Sequence, residues 1–211
     1  MKFYDEGDGL INIQHVEKSE QDLAEEFIES DDIVLELGAR YGTVSYQIAK
    51  KLSDPKHLVA VEPQYQVHQA LEKNRNNSNY PFIIHKGFVS KQYLRLEDIG
   101  YGTSYIHGES PAFPCITLEE LQDLHKLQFN TLVADCEGGL QPFFEDFPWF
   151  YKQLNKVILE KDYPDKCDYS VICNNLIKEG LVLVKSINGG FHEVYVRPNS
   201  PAPSRGLLRP V

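Results

Sequence analysis

A chain of 211 residues with 42% hydrophobic and 11% aromatic side chains can bury one sizeable core, which argues against a disordered chain and for a single domain. Its 31 acidic against 21 basic residues leave a net charge of −10, which repels a phosphate backbone; no basic patch offsets it, so nucleic acid is not the expected partner. Cys115, Cys136, Cys167 and Cys173 form no C-x-x-C pair, "MKFYDEGDGL" lacks the apolar core of a signal peptide, and no uncharged run could cross a bilayer. The expectation is a cytoplasmic protein with reduced thiols, no zinc cage, no disulfide framework and no membrane insertion.

In chain order, Leu23, Phe27 and Ile28 recur at helical spacing behind Ser19, which predicts a capped amphipathic helix over 20–29. Five short apolar runs rich in β-branched residues follow: "IVLEL" (33–37), "HLVAVE" (57–62), "PFIIH" (81–85), "TLVAD" (131–135) and "KVILE" (156–160). They read as buried parallel strands. Helical stretches separate them at 43–52, 65–75, 117–125 and 143–154, the last broken by Pro148. "YSVICNNLIKEG" predicts a further helix closed by Gly180, and "LVLVKSI" and "FHEVYVR" flank "NGG" as an antiparallel hairpin. The pattern is that of an α/β fold, a mostly parallel, doubly wound sheet that ends in an antiparallel hairpin. One domain is expected over 1–197, followed by a Pro-rich tail over 198–211 with the composition of a linker within a larger multidomain polypeptide. The connection 90–116, rich in Gly, Tyr and Ser, stands outside the alternation, and long connections of that kind are often functional.

The first strand ends in "VLELGARYGTVS", with Glu36 in the strand, Gly38 and Gly42 in the turn, and Ala39 and Tyr41 between them. This G-x-x-x-G spacing is not the G-x-G-x-x-G that seats a pyrophosphate, and a carboxylate just before the turn suits a cation such as an ammonium. Glu62 ends the second strand in "VAVEP", where an acid accepts hydrogen bonds from ribose hydroxyls. A ligand with an ammonium, a ribose and no pyrophosphate is S-adenosyl-L-methionine. Each piece alone is common; their order and spacing together are specific.

"VLELGARYGTVS" with "VAVEP" resembles the first two motifs of class I S-adenosylmethionine-dependent methyltransferases. "TLEELQDLHKLQFNTLVADCEGG" is similar to the threonine-leucine-acidic helix and D-x-E-G strand end of FkbM-type methyltransferases, whose members mostly methylate hydroxyls of sugars and natural products. The resemblance spans about residues 30–197 and departs from the pattern at Cys136 and at Gly139-Leu140. It implies a Rossmann-like class I methyltransferase fold, Glu36 on the cofactor ammonium, Gly38 and Gly42 lining the cofactor, and Glu62 on its ribose. It also implies Pro63 and Gln64 beside the ribose and adenine, Phe88 packed on the adenine ring, and a sugar or glycan acceptor.

A hydroxyl is weakly acidic, so its methylation needs a positioned base, and Asp135 at the end of "TLVAD" is the best-placed candidate, the competing reading being that it binds the cofactor and orients its methionine moiety or the substrate. Glu137 reads as a second acceptor ligand or as a cap on the Gly138-Gly139 turn. His107, in the long connection, is a further candidate base, whereas His192 in the last strand reads as a half-buried structural residue. Cys136 has no activating neighbour in sequence and reads as a small buried side chain. Phe144 or Trp149 could wall the acceptor pocket. Catechol-type methyltransferases gather a divalent ion from acids at the ends of the fourth and fifth strands, and a resemblance to them would put Asp135, Glu160 and Asp162, all hard oxygen donors, in that place. Lys161 between the last two weakens the case without excluding it, so a divalent metal is not the favoured reading.

Overall fold

A computed structural model of the chain describes residues 1–96, 103–105 and 113–198. At its centre lie seven strands: β1 (Val34–Leu37), β2 (Leu58–Glu62), β3 (Ile83–Lys86), β4 (Thr131–Ala134), β5 (Lys156–Glu160), β6 (Val182–Ile187) and β7 (His192–Val196). They pair in the order β3-β2-β1-β4-β5-β7-β6. The first five are parallel, and β7 inserts antiparallel between β5 and β6. The expected hairpin is present, turned by Asn188–Gly190. The winding direction reverses between β1 and β4, so their carboxyl ends open a crevice at the middle of the sheet.

Strand alternation divides the core. Leu35, Val59, Leu132 and Val157 face one side; Val34, Leu58, Val133 and Ile158 face the other. Helices α1 (Lys18–Phe27), α2 (Thr43–Lys51) and α3 (His68–Ser78) cover the second side through Leu23, Ile48 and Leu71. The first side takes α4 (Leu118–His125), α5 (Leu140–Asp146), α6 (Phe150–Gln153) and α7 (Tyr169–Lys178), with Leu121, Phe143, Phe150 and Ile172 in its core. Thr117 and Glu120 close a capping box at the start of α4. As Pro148 requires, α5 and α6 are separate helices.

Two helix starts differ from expectation. Helix α1 begins at Lys18, so Ser19 lies inside it; Glu17 takes the N-cap position in the left-handed region, and its side chain accepts a bond from Thr43 Oγ1 instead of capping. Helix α3 begins at His68 because Gln64 to Val67 first form a turn off the end of β2. The acidic N-terminus, which has no apolar periodicity, forms a two-stranded ribbon of Phe3–Tyr4 with Leu10–Ile11. Asn74 fastens that ribbon to α3, accepting from Tyr4 N at 2.9 Å and donating to Tyr4 O at 2.8 Å.

The amino ends of the strands are closed by a buried polar cluster. Asp32 accepts from Thr131 Oγ1 at 2.9 Å and pairs with Lys156 Nζ at 2.6 Å. In the long connection, Phe88–Val89 pairs in parallel with Cys115–Ile116, and Leu94–Leu96 pairs with Thr103–Tyr105. His107 and the tail from 199 onward lie outside the described residues. Among the described residues no helix is long and apolar enough to cross a membrane.

Candidate functional site

The carboxyl ends of β1, β2 and β4 surround a cavity of about 360 Å³, within the range of small-molecule sites. Among the described residues its wall carries four carboxylates, Glu6, Glu62, Asp135 and Glu137, against one guanidinium, Arg40. Such a wall favours a ligand with positive charge.

Glu62 is fixed by the backbone around it. It is 6% exposed, Oε2 accepts from Arg40 N at 2.7 Å, and Oε1 accepts from Gln64 N at 2.7 Å. Each oxygen keeps a lone pair for a further donor such as a ligand hydroxyl. Burial raises its pKa to about 7, although the two backbone donors and Arg40 favour the ionised form. Pro63 and Gln64 continue the same wall.

The turn after β1 is held by Gly38 N and Ala39 N, which donate to Val61 O at 3.0 and 3.1 Å. Gly38 has φ of 92°, and a Cβ there would sit 1.6 Å from Asp135 O, so only glycine lets the β1 and β4 ends meet this closely. Gly38 and Tyr41 line the cavity; the Tyr41 hydroxyl donates to Glu6, and the Arg40 guanidinium lies 4.9 Å from the Tyr41 ring centre. Ala39 and Gly42 do not line it. Ala39 is buried in the core on the α2 side, and Gly42 starts α2 with φ of 78° against Leu71.

Glu36 is also placed differently from expectation. Alternation along β1 turns it to the α1–α2 side, where its Oε2 accepts from Ser45 Oγ at 2.6 Å. It borders a second, much smaller void with Glu17, Glu20, Glu160 and His192. Burial pushes its pKa up to about 8 against the Ser45 bond, with Glu17 and Glu62 adding repulsion. His192 is structural there: its Nε2 lies 2.6 Å from Glu20 Oε1 and 3.1 Å from Glu160 Oε2.

Asp135 follows β4 directly and borders both cavities. Burial, then the neighbouring Glu160 and Asp162, hold its pKa well above the usual carboxylate range. Glu137 stands in the left-handed region with φ of 55°. Its pKa rises to about 7 through burial and the adjacent Asp162. Glu137 does not cap the glycine turn: Gly138 N donates to Asp162 Oδ1 at 3.3 Å, and Gly139 N donates to Cys136 O at 2.8 Å. Burial pushes the Cys136 thiol well up, which removes it as a nucleophile.

Phe88 forms part of the far wall, 5.8 Å from Phe113 in an edge-to-face pair. Neither Phe144 nor Trp149 reaches the cavity. Phe144 stacks on Tyr151 at 3.9 Å, and Trp149 Nε1 donates to Glu119; Phe143 lines the wall instead. Glu6, Arg40 and Leu94 are lining residues that sequence reasoning missed. Glu6 sits in a segment without periodicity, and Leu94 in a connection without a repeat. Arg40 was legible as part of the same turn as Gly38.

Neither protein-family models nor curated proteins match the sequence. Solved structures do match the fold. A precorrin-6y C5,15-methyltransferase from Geobacter metallireducens aligns over 88% of this chain and 90% of its own, with 12% identity and a TM-score of 0.52. An rRNA methylase from Streptococcus thermophilus aligns over 84% and 92%, with 9% identity and a TM-score of 0.51. A candidate tRNA (m1A22) methyltransferase from Streptococcus pneumoniae, solved in complex with S-adenosyl-L-methionine, aligns over 84% and 71%, with 14% identity and a TM-score of 0.50. The fold is therefore the Rossmann-like fold of class I methyltransferases.

Proposed function

We propose that the chain is an S-adenosyl-L-methionine-dependent O-methyltransferase whose acceptor is a hydroxyl of a sugar or glycan. The observation that carries this reading is the pairing of Glu62, held at one end of the cavity by two backbone donors, with Asp135 and Glu137 on the same wall. The residues fit the cofactor. Glu62 has an acceptor lone pair on each oxygen for two ribose hydroxyls, Phe88 offers an apolar face to a ring, and four carboxylates against one guanidinium suit a ligand bearing a sulfonium and an ammonium. The short turn at Gly38 lacks the bed of backbone donors that a pyrophosphate needs.

When bound, the cofactor supplies an electrophilic methyl carbon on a cationic sulfur. The chain's own task is to align an acceptor oxygen with that carbon and remove its proton. Asp135 would take the proton of the acceptor hydroxyl as that methyl group is transferred. Burial, with Glu160 and Asp162 nearby, raises the basicity of Asp135 well above that of an ordinary carboxylate, which suits a base for a weakly acidic hydroxyl. Glu137 can accept a hydrogen bond from a second hydroxyl of the acceptor. The acidic wall and the net charge of −10 support a neutral polyol over a polyanionic acceptor. The D-x-E-G stretch after β4 supports the FkbM-type assignment.

Calorimetry with S-adenosyl-L-methionine and methyl transfer from labelled cofactor to a panel of sugars and glycans test this. Cofactor binding is expected in the wild type and weakened about 10-fold or more in Glu62→Ala, since two charge-assisted hydrogen bonds are lost. Asp135→Asn should bind the cofactor and lose transfer by about 10²-fold or more. No cofactor binding by the wild type, or full transfer by Asp135→Asn, would overturn the reading.

A further inference from the structure

The N-terminal ribbon lies outside the α/β alternation and still reaches the cavity. Its loop carries Glu6, which is exposed to solvent and also lines the cavity wall, so the loop stands at the mouth. The loop is stiff in itself. Asp5 Oδ1 accepts from Gly7 N at 2.9 Å and from Gly9 N at 2.7 Å, and Asp5 N donates to Gly9 O at 2.9 Å. Both flanks of the loop are fixed in the body. Phe3 is 1% exposed, with its ring centre 5.7 Å from that of Tyr46 in an edge-to-face pair, and Ile11 packs on Tyr41, Val67 and Ala70. Such a unit moves as one piece between two fixed points.

None of residues 4–10 is buried, and Leu10 is exposed. What holds them down is polar. The Tyr41 hydroxyl donates to Glu6, Lys73 pairs with Asp8 at 2.7 Å, the Lys73 ammonium lies 3.6 Å from the Tyr4 ring centre, and Asn74 bonds Tyr4 N and O. Exposed polar bonds exchange readily with water and contribute little each, whereas freeing Phe3 would expose apolar surface. Residues 4–10 therefore belong to the low-stability end of the molecule, and they are the part of the ribbon that borders the cavity.

We propose that residues 4–10 form a strap at the mouth of the cavity, latched by Glu6 on Tyr41 and by Asp8 on Lys73, and that its release controls ligand entry and exit. All the latching bonds join protein groups, so the strap closes with or without a ligand. A weaker latch raises the open fraction in both states. Association and dissociation then speed up by the same factor, and the dissociation constant stays in place. Loss of a direct ligand contact acts differently, chiefly on dissociation. That the ligand is S-adenosyl-L-methionine rests on the methyltransferase reading; the motion of the strap does not.

Two measurements test this. In the protein alone, hydrogen exchange at the Tyr4 amide, which donates to Asn74 Oδ1 at 2.9 Å, reports the strap leaving α3. It should be faster than at the β4 amides, and about 10-fold faster again in Tyr41→Phe, which loses a hydrogen bond to a charged group; unchanged β4 exchange checks the fold. In stopped-flow binding of S-adenosyl-L-methionine, Lys73→Met, a change outside the cavity wall, should raise both rates by about 3-fold or more and move the dissociation constant by less than about 2-fold. Tyr4 exchange as slow as in β4, Tyr4 exchange unchanged in Tyr41→Phe, or a Lys73→Met protein whose two rates do not rise together would overturn the strap. If the wild type binds no S-adenosyl-L-methionine, the methyltransferase reading fails and the exchange data alone decide on the strap.

Discussion

Replacing Glu36 by glutamine should make the protein more stable at high pH and leave it little changed at low pH. Glu36 is 2% exposed, and its one hydrogen-bond donor is the Ser45 hydroxyl. Its pKa rises from 4.5 to about 8 in the folded chain, chiefly through burial. A carboxyl raised in this way supports folding fully below pH 4.5, and that support is lost as pH rises through about 8. The full difference corresponds to about 3–5 kcal/mol against the folded wild type above that pH. Glutamine cannot ionise, and its carbonyl can still accept from Ser45. For a chain of this size the gain is roughly 6–20 °C in melting temperature. Thermal melts of both proteins at pH 5 and pH 9 read it out, because titrating groups away from Glu36 are shared and cancel in the comparison, leaving Glu36 and its repulsion with Glu17 and Glu62. If the melting-temperature difference between variant and wild type is the same at both pH values, Glu36 is not the buried acid described above.

Gly38→Ala and Gly189→Ala separate close packing from backbone preference. Both glycines have positive φ, but a Cβ at Gly189 meets nothing within 4 Å, whereas at Gly38 it would lie 1.6 Å from a main-chain oxygen. Gly189→Ala should cost about 1 kcal/mol in urea unfolding, and Gly38→Ala far more, with loss of soluble protein expected; equal costs would contradict the contact between the β1 and β4 ends. Lys156→Met leaves Asp32 buried without its cation and should cost about 3–5 kcal/mol. Adding Asp32→Asn should recover much of that loss, and a single-variant cost below about 1 kcal/mol would show that the pair does not anchor the sheet.

The fold was legible because its signals are local. Five runs of β-branched residues, helical spacing between them and the Asn188-Gly189-Gly190 turn fix the seven strands and their direction. What local signals lack is the insertion of β7 between β5 and β6, which depends on pairing across 32 or more residues of sequence, as between His192 and Glu160. The N-terminal ribbon was invisible because two-residue strands carry no period; tertiary bonds from Asn74 hold it. Pro148 was informative because its missing N–H allows little else.

In the site, the strand ends named from spacing meet at one edge of the sheet, but spacing alone does not say which face each side chain takes. Glu36 and Asp135 both stand near the tip of their strands, yet alternation sends Glu36 behind the sheet toward Ser45, while Asp135 has left the strand and borders the cavity. Alternation was available in the sequence: Leu35 and Leu37 belong to one core and Val34 to the other, which leaves Glu36 with Val34. The D-C-E-G stretch shows the opposite case, in which chemistry and packing cannot be separated by sequence. Gly138 has φ of 85°, and a Cβ there would lie 2.9 Å from the Lys166 Cβ, so the glycine is required by the loop after β5. That same loop brings Asp162 onto Gly138 N and beside Glu137. The glycine therefore serves the acids: it lets the β4 and β5 ends close on each other, and the closure brings Asp162, 24 residues on from Gly138, beside the neighbouring Asp135 and Glu137.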